Sequence, residues 1–295
     1  MFARSMLSMT QPWNIAEWVS SKGCDISAEK CGMCSVLVRT FNSEKTLPST
    51  LCSLNRQTCR PSAYVFVDSG STDATLTLLP AGSYIHHFIG REFNYSEALN
   101  QGLKYISTEY VLIISSHTEL ENCNALQYAT DVLNSDKSIG ALYFCDESIG
   151  PLSHDLINEG NFDGFNGLWN TCAVIRLSLL RERAFRSDVF TAEDQEWARW
   201  FFSYRQGSIA RVSGGGRRYR NSRGSSLRKR VNEYVSIAYF TKRELLGARN
   251  VARFIFKAFA LKYPLRCRQR LYSLWLFFRL LECHIRKPTA SSRYF

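Results

Sequence analysis

No stretch of this chain reaches the ~18 apolar residues that a membrane-spanning helix needs. The longest candidate, residues 271–281, is interrupted by Arg279 and flanked by Arg268, Arg270 and Arg286, so it is not expected to cross a bilayer. Residues 1–10 lack the basic start and apolar core of a secretory leader, and none is expected there. There is no internal repeat and no second CxxC to accompany Cys31-Gly32-Met33-Cys34, with Cys24 upstream. Metal or redox use of that cluster stays open beside ordinary thiols, and the scatter of all ten cysteines suits a reducing compartment. Carboxylates run short toward the C-terminus: residues 205–295 hold 22 Lys and Arg against 3 Asp and Glu, whereas residues 1–150 hold 10 against 15. The net charge of +11 is thus concentrated in the tail, whose partner should be a phospholipid surface, a nucleic acid or a diphosphate ligand.

What is present is most informative between residues 35 and 73. Ser35-Val36-Leu37-Val38-Arg39-Thr40-Phe41-Asn42 and Ala63-Tyr64-Val65-Phe66-Val67-Asp68 read as two apolar strands that end in polar clusters. Between them Leu47, Leu51 and Leu54 recur at i, i+4 and i+7, the core stripe of an amphipathic helix. Strand, helix, strand of this length is a parallel βαβ unit, and such units bind ligands at the carboxyl ends of their strands. Arg39, Thr40, Asn42, Asp68, Ser71 and Asp73 all fall there.

The alternation continues, with strands expected at residues 84–89, 110–115, 139–145 and 171–176. Helices are expected at 96–106, capped by Asn94 or Ser96, at 124–133 and at 193–204. Residues 148–169, rich in Gly, Asn, Asp and Pro, are expected as one long loop, and the Gly, Arg and Ser run 213–226 as a flexible one. The 295 residues would then divide into an N-terminal extension (1–34, with a short helix near 13–19), an α/β domain (35–212) and a basic loop with an amphipathic helical tail (213–295).

Four segments resemble, in order, those of the family-2 type of nucleotide-sugar glycosyltransferases. They are Val36–Asn42, the run Val67-Asp68-Ser69-Gly70-Ser71-Thr72-Asp73, the run Arg91-Glu92-Phe93-Asn94-Tyr95-Ser96-Glu97-Ala98-Leu99-Asn100, and Ala192-Glu193-Asp194-Gln195-Glu196-Trp197. The resemblance implies a GT-A type, Rossmann-like mixed sheet flanked by helices, here with a basic helical C-terminal extension. It implies donor binding by Thr40, Asn42, Asp68, Ser71, Asp73, Arg91, Ser115 and Ser116, with Thr40 and Asp68 on base and ribose and Arg39 and Arg91 as candidates to touch the phosphates. Chemistry agrees at Asp68, because a uracil or thymine N3–H needs an acceptor. A turn held by side-chain oxygens is the other reading of Asp68, and helix capping that of Asp73.

The fourth strand departs from the family. Where most relatives carry Asp-x-Asp for a divalent ion, this chain has Ser115-Ser116-His117, with Glu119 nearby. His117 as a ligand for Mn2+ or Mg2+ and His117 as a hydrogen-bonded strand end both stay open, and no other His occurs between residues 155 and 283. The departing diphosphate still needs positive charge. Arg217, Arg218, Arg220 and Arg223 in the expected loop are candidates to supply it, which implies weak or absent dependence on a divalent cation; contact with an anionic surface is their alternative role.

The resemblance makes Asp194 the catalytic base of an inverting transfer, against a plain first-turn charge preference, and leaves Trp169 and Trp197 as acceptor platforms or core. In the tail, Phe254, Phe256, Phe259, Leu271, Trp275, Phe277, Phe278, Leu280 and Leu281 alternate with Arg and Lys. That fits an anionic membrane interface or packing on the catalytic domain, and no nucleic-acid motif accompanies it. The expected protein is a cytoplasmic glycosyltransferase, peripheral at the inner membrane face. It would carry sugar from a nucleotide-diphosphate donor to a glycan or lipid-linked acceptor. A non-catalytic sugar-nucleotide-binding relative is the alternative.

Overall fold

The computed structural model describes residues 32–88, 93–220, 226–259 and 267–289. The N-terminal extension to residue 31, Arg91 and Arg223 lie outside them, and with them the expectations made there. Apolar runs that cannot alternate form the centre: β1 (Cys34–Thr40), β2 (Tyr64–Asp68), β4 (Tyr110–Ser115), β6 (Ile139–Phe144) and β8 (Cys172–Arg176). Such strands need cover on both faces. Val36 and Val38 point into a layer with α1 (Leu47–Asn55) and α3 (Ala125–Ser135). Leu37 points into the opposite layer, with α2 (Tyr95–Leu103), α4 (Leu177–Glu182) and α5 (Glu193–Trp200). Asn94 accepts from the Glu97 N–H and is the cap of α2.

With β3 (Tyr84–His87), β7 (Ile149–Ile157) and β9 (Ser208–Gly215), the sheet order is β3-β2-β1-β4-β8-β6-β9-β7. The strands β3 to β4 are parallel, and β8 runs antiparallel to both β4 and β6. Order reverses between β1 and β4, which is the switch point where open α/β sheets form a ligand crevice. The expected GT-A type mixed sheet is therefore present.

Two expectations fail. Residues 148–169 are not one loop, because β7 occupies their first half and pairs antiparallel with β9. β7 is an edge strand with mostly exposed side chains, held by its ladder and by the Arg211–Asp155 pair, so no apolar alternation announces it. Nor is the Gly, Arg and Ser run a loop from residue 213. β9 runs on to Gly215, and β10 (Arg217–Tyr219) pairs with β5 (Thr118–Leu120) in a second small sheet.

The C-terminal helices α6 (Leu227–Ser236), α7 (Ala248–Phe259) and α8 (Cys267–Ile285) share a core of their own. Val231, Val235, Val251, Phe254, Leu276 and Leu280 bury there against Phe190. Ser236 Oγ donates to the Thr191 carbonyl, and Lys242 Nζ donates 2.8 Å to that of Phe162. So the inward face of the tail does pack on the α/β body. Its outward face is still apolar: Phe256, Phe259, Leu271, Trp275, Phe278 and Ile285 are exposed. Among the described residues no helix is long and apolar enough to cross a membrane. Seven described cysteines are free thiols, whereas Cys59 is disulfide-bonded, which the scatter of cysteines did not announce.

Gly214 has φ +81°, and a Cβ there would lie 2.5 Å from the Pro151 carbonyl oxygen. Gly214→Ala should therefore cost about 1–3 kcal/mol in a urea titration, whereas Gly150→Ala, with open space around it, should cost far less.

Candidate active site

Three backbone ends meet at the switch point. β1 delivers Arg39 and Thr40, β2 delivers Asp68, and β4 delivers Ser115 and Ser116. Thr40 Oγ1 donates to Asp68 Oδ1 at 2.9 Å across the β1–β2 pair. The rest of the Asp68 carboxylate is taken by its own turn: the N–H groups of Gly70 (3.0 Å) and Ser71 (2.8 Å) donate to Oδ2, and Ser71 Oγ to Oδ1. Asn42, left-handed at φ 47°, accepts from the Thr72 N–H at 2.8 Å and donates its own N–H to Ser71 Oγ at 2.9 Å. Asp73 accepts from the Thr75 N–H at 3.0 Å and from the Glu44 N–H at 3.1 Å. These residues form one interlocked turn. The turn and cap bonds foreseen for Asp68 and Asp73 exist, and they hold the Thr40–Asp68 pair at the crevice floor.

The opposite wall is α5. Because β8 runs antiparallel to β4, the chain entering β8 arrives at the carboxyl end of β4, and the Ser115 N–H donates to the Thr171 carbonyl at 3.1 Å. The preceding residue, Asn170, then meets the helix. Its side-chain amide donates to Glu193 Oε1 (2.8 Å) and its backbone N–H to Asp194 Oδ2 (3.1 Å). Ala192 enters the helix at φ 57°, a left-handed backbone that an L side chain adopts at a cost of roughly 1–2 kcal/mol. Burial, then the neighbouring Glu193 carboxylate, pushes the Asp194 pKa up to about 7, against the pull of the Asn170 and Gln195 N–H groups and Arg39. That outweighs the lowering expected at a helix N-terminus.

Arg39 joins the two walls. Its guanidinium lies 4.6 Å from the centre of the Tyr95 ring and 3.8 Å from Glu193 Oε1. Sequence reasoning named Arg39 but missed Glu193 as its neighbour and Asn170 as the residue that bonds Glu193. Tyr95 fell inside a quoted segment, and only that position could have flagged it.

At the end of β4 the donors do not suit a hard divalent ion. Ser116 Oγ lies 2.7 Å from Ser43 Oγ, and Glu119 is paired with Arg220. No group of three or more His, Cys, Asp or Glu among the described residues could hold a metal. His117 packs edge-on against Tyr219 with ring centres 4.6 Å apart, and its buried Nε2 has no hydrogen-bond partner. Burial first, then the charges of Arg39 and Lys229, lowers its pKa to about 4. Neutral hydroxyls and one imidazole leave the carboxylates of Asp-x-Asp unreplaced.

Of the arginines expected in a flexible loop to supply charge, Arg217, Arg218 and Arg220 are largely committed. Arg218 pairs with Glu121 at 2.7 Å, and Arg220 pairs with Glu119. Arg217 stands 5.6 Å from the Trp169 ring centre and donates to the Cys145 carbonyl at 3.2 Å. They sit on or beside a paired strand. Trp197 is wholly buried, stacked on Phe201, and is core rather than an acceptor platform.

Strand ends at the switch point of a mixed sheet, with a carboxylate at the end of β2 and a perturbed acid at the start of α5, are where open α/β folds bind their ligands. The model of glycosyl transferase family 2 matches residues 35–183, and the chain belongs to that family of nucleotide-sugar glycosyltransferases with the GT-A fold. No curated protein matches it in sequence. Among solved structures it is similar to S. aureus TarS 1–349 in complex with UDP, at 18% identity over 85% of this chain and 80% of that one, with a TM-score of 0.56. It is also similar to glucosyl-3-phosphoglycerate synthase from Mycobacterium tuberculosis in complex with Mn2+, UDP and phosphoglyceric acid. There the identity is 18% over 78% of this chain and 83% of that one, with a TM-score of 0.52.

The buried imidazole gives a direct check. His117 should titrate near pH 4 by NMR, and Arg39→Met should move that titration upward. Because the folded value lies below the free value of about 6.5, the linked loss of stability should begin below that pH and be complete near pH 4. Titration of His117 at an ordinary histidine value would contradict its placement.

Proposed function

We propose that this glycosyltransferase is inverting, and moves a hexosyl or deoxyhexosyl unit from a nucleotide-diphosphate sugar to a hydroxyl of a glycan or lipid-linked acceptor, in surface polysaccharide synthesis. The observation that carries the reading is Asp194: a carboxylate at the start of α5, bonded by the Asn170 N–H just ahead of β8, whose pKa is raised to about 7. A base in an inverting displacement must stand opposite the leaving group and take the acceptor proton near the working pH. A carboxylate at an ordinary value is a weaker base at pH 7.

The donor would lie along the turn. Thr40 and Asp68 receive the base and ribose, with the Asp68 turn giving up a bond to an incoming N3–H. Asn42, Ser71 and Asp73 hold the loop in shape, Ser115 and Ser116 face the diphosphate, and Arg91 is a further candidate. TarS and glucosyl-3-phosphoglycerate synthase were each crystallised with UDP, which supports a nucleotide diphosphate as the ligand class. The second of these also held Mn2+, but the donor atoms at Ser115, Ser116 and His117 favour transfer with weak or no need for a divalent cation.

The outward stripe Leu271, Trp275, Phe278 and Ile285, at i, i+4, i+7 and i+14 of a helix rich in Arg, supports peripheral attachment to an anionic membrane at the cytoplasmic face. A lipid-linked acceptor would be presented there. The missing Asp-x-Asp favours one other reading, a sugar-nucleotide-binding relative without activity. Slow donor hydrolysis separates the two, since a scaffold binds nucleotide and releases no sugar.

Asp194→Asn should lower transfer by ~10²–10⁴-fold and leave donor affinity nearly unchanged; surviving turnover would remove Asp194 from the role. In the native enzyme kcat/KM should rise with pH through about 7, because only the ionised carboxylate accepts the proton. Phe278→Asp should reduce sedimentation with phosphatidylglycerol vesicles without altering the fold, and equal sedimentation would argue against that face.

A further inference from the structure

The chain that enters β8 touches both the base and a cation with one nitrogen unused. We propose that Arg217 of β10 binds an anionic group, a phosphate or a carboxylate, carried by the acceptor, so that the acceptor is a phosphorylated or acidic glycan. This rests on the glycosyltransferase reading of the site, with Asp194 as its base, and names the chemistry of the second substrate.

Alternation along β10 decides which of its arginines is neutralised. Arg218 stands opposite Glu119 in the register, and the carboxylates of Glu121 and Glu119 pair with Arg218 and Arg220. Arg217 and Tyr219 lie on the other face, opposite Leu120 and Thr118, where β5 offers no charge. Tyr219 packs on His117 with ring centres 4.6 Å apart, so this face is turned toward the end of β4. Arg217 forms no ion pair among the described residues. Its Nη2 donates to the Cys145 carbonyl at 3.2 Å and its Nη1 to Thr171 Oγ1 at a long 3.4 Å, while Nε is buried without a hydrogen-bond partner. A guanidinium N–H kept from water without an acceptor is costly, and a phosphate or carboxylate oxygen is the acceptor it fits best.

Three consecutive residues bring that cation to the chemistry. The Arg217 guanidinium lies 5.6 Å from the ring centre of Trp169, which is itself fixed, with the Tyr143 ring 5.1 Å away and Nε1 donating to the Phe165 carbonyl at 2.9 Å. Such a stack orients the planar fork and leaves its N–H edge for an anion, so Trp169 serves the acceptor through the arginine rather than as a bare platform. Asn170 gives its N–H to Asp194 Oδ2 at 3.1 Å. Thr171 takes the Arg217 bond on its hydroxyl and the Ser115 N–H on its carbonyl. Arg217 is therefore tied, through adjoining residues, to the base and to the strand end expected to face the diphosphate. An anion on Arg217 would set its sugar beside Asp194. A hydroxyl of that sugar would give its proton to the Asp194 carboxylate as its oxygen bonds the anomeric carbon and the nucleoside diphosphate leaves.

The test is a ligand-observed NMR titration of the full chain with Mn2+ present, saturated with whichever of UDP, GDP and dTDP binds in a thermal-shift screen. Glucose 6-phosphate or glucuronate should bind at least about tenfold more tightly than glucose, and the acid that gains tells phosphate from carboxylate. Arg217→Met should bring that acid to within about twofold of glucose, and Arg217→Lys should keep a preference reduced at least about threefold. Arg218→Met, on the opposite face, should leave the preference intact. Nucleotide affinity should stay within about threefold throughout, with circular dichroism as the check of folding; if Arg217→Met does not fold, Arg217→Lys carries the test. Equal binding of the acids and glucose by the native protein, or no binding of any of the three, would overturn the proposal without recourse to a variant. So would a preference that survives Arg217→Met, or one lost equally in Arg218→Met, the mark of general charge attraction. A folded Arg217→Met that loses the nucleotide would assign the arginine to the donor instead and also overturn it. All of these leave the glycosyltransferase reading standing, whereas failure of all three diphosphates to bind would overturn both.

Discussion

Arg39 is the contact on which the site depends. It is the last but one residue of β1, beside the position where strand order reverses, and it is wedged between the Tyr95 ring and the Glu193 carboxylate. One side chain thus ties the strand that carries Thr40 to the helix that carries Asp194. Asn170 makes the same link from the other direction, since the β8 connection must pass the end of β4 before entering the sheet. The sheet sets where the walls stand, and these two residues set how they face each other.

Charge in the crevice is balanced sparingly. Two adjacent acids begin α5, and burial, then their mutual repulsion, raises the Asp194 pKa, while Arg39 limits the rise. The same arginine helps keep His117 neutral. Removing metal ligands from such a site changes more than one bond. It leaves positive side chains as the available counter-charge, so the cation and the perturbed acid belong to one electrostatic arrangement. The tail meets the body close to the start of α5, where the Ser236 hydroxyl donates to the Thr191 carbonyl.

Much of this was legible in the sequence. Strands β1, β2, β4 and β6 are buried on both faces and announce themselves as apolar runs, and the Asp68 turn announces itself by its Gly, Ser, Thr and Asp. β7 did not, because an edge strand can be held by backbone bonds alone while its side chains stay in water. β10 did not either: Arg217, Arg218 and Tyr219 look like a loop until Glu119 and Glu121 on β5 are seen opposite them. At the site, Thr40, Asp68 and Asp194 were named by pattern, whereas Asn170 carries no local signal. Its place arises from contacts between segments far apart in the chain, which spacing cannot encode. The tail showed both of its characters in sequence, and only packing could say which apolar residues turn inward.

The most direct measurement is a crystal structure with the tightest-binding nucleoside diphosphate, grown in EDTA. The account predicts the base against Thr40 and Asp68, the diphosphate within hydrogen-bond reach of Arg39, and an open path from the terminal phosphate to the Asp194 carboxylate. A nucleotide bound elsewhere on the molecule, or one in this crevice with its phosphates directed away from Arg39 and Asp194, would contradict it.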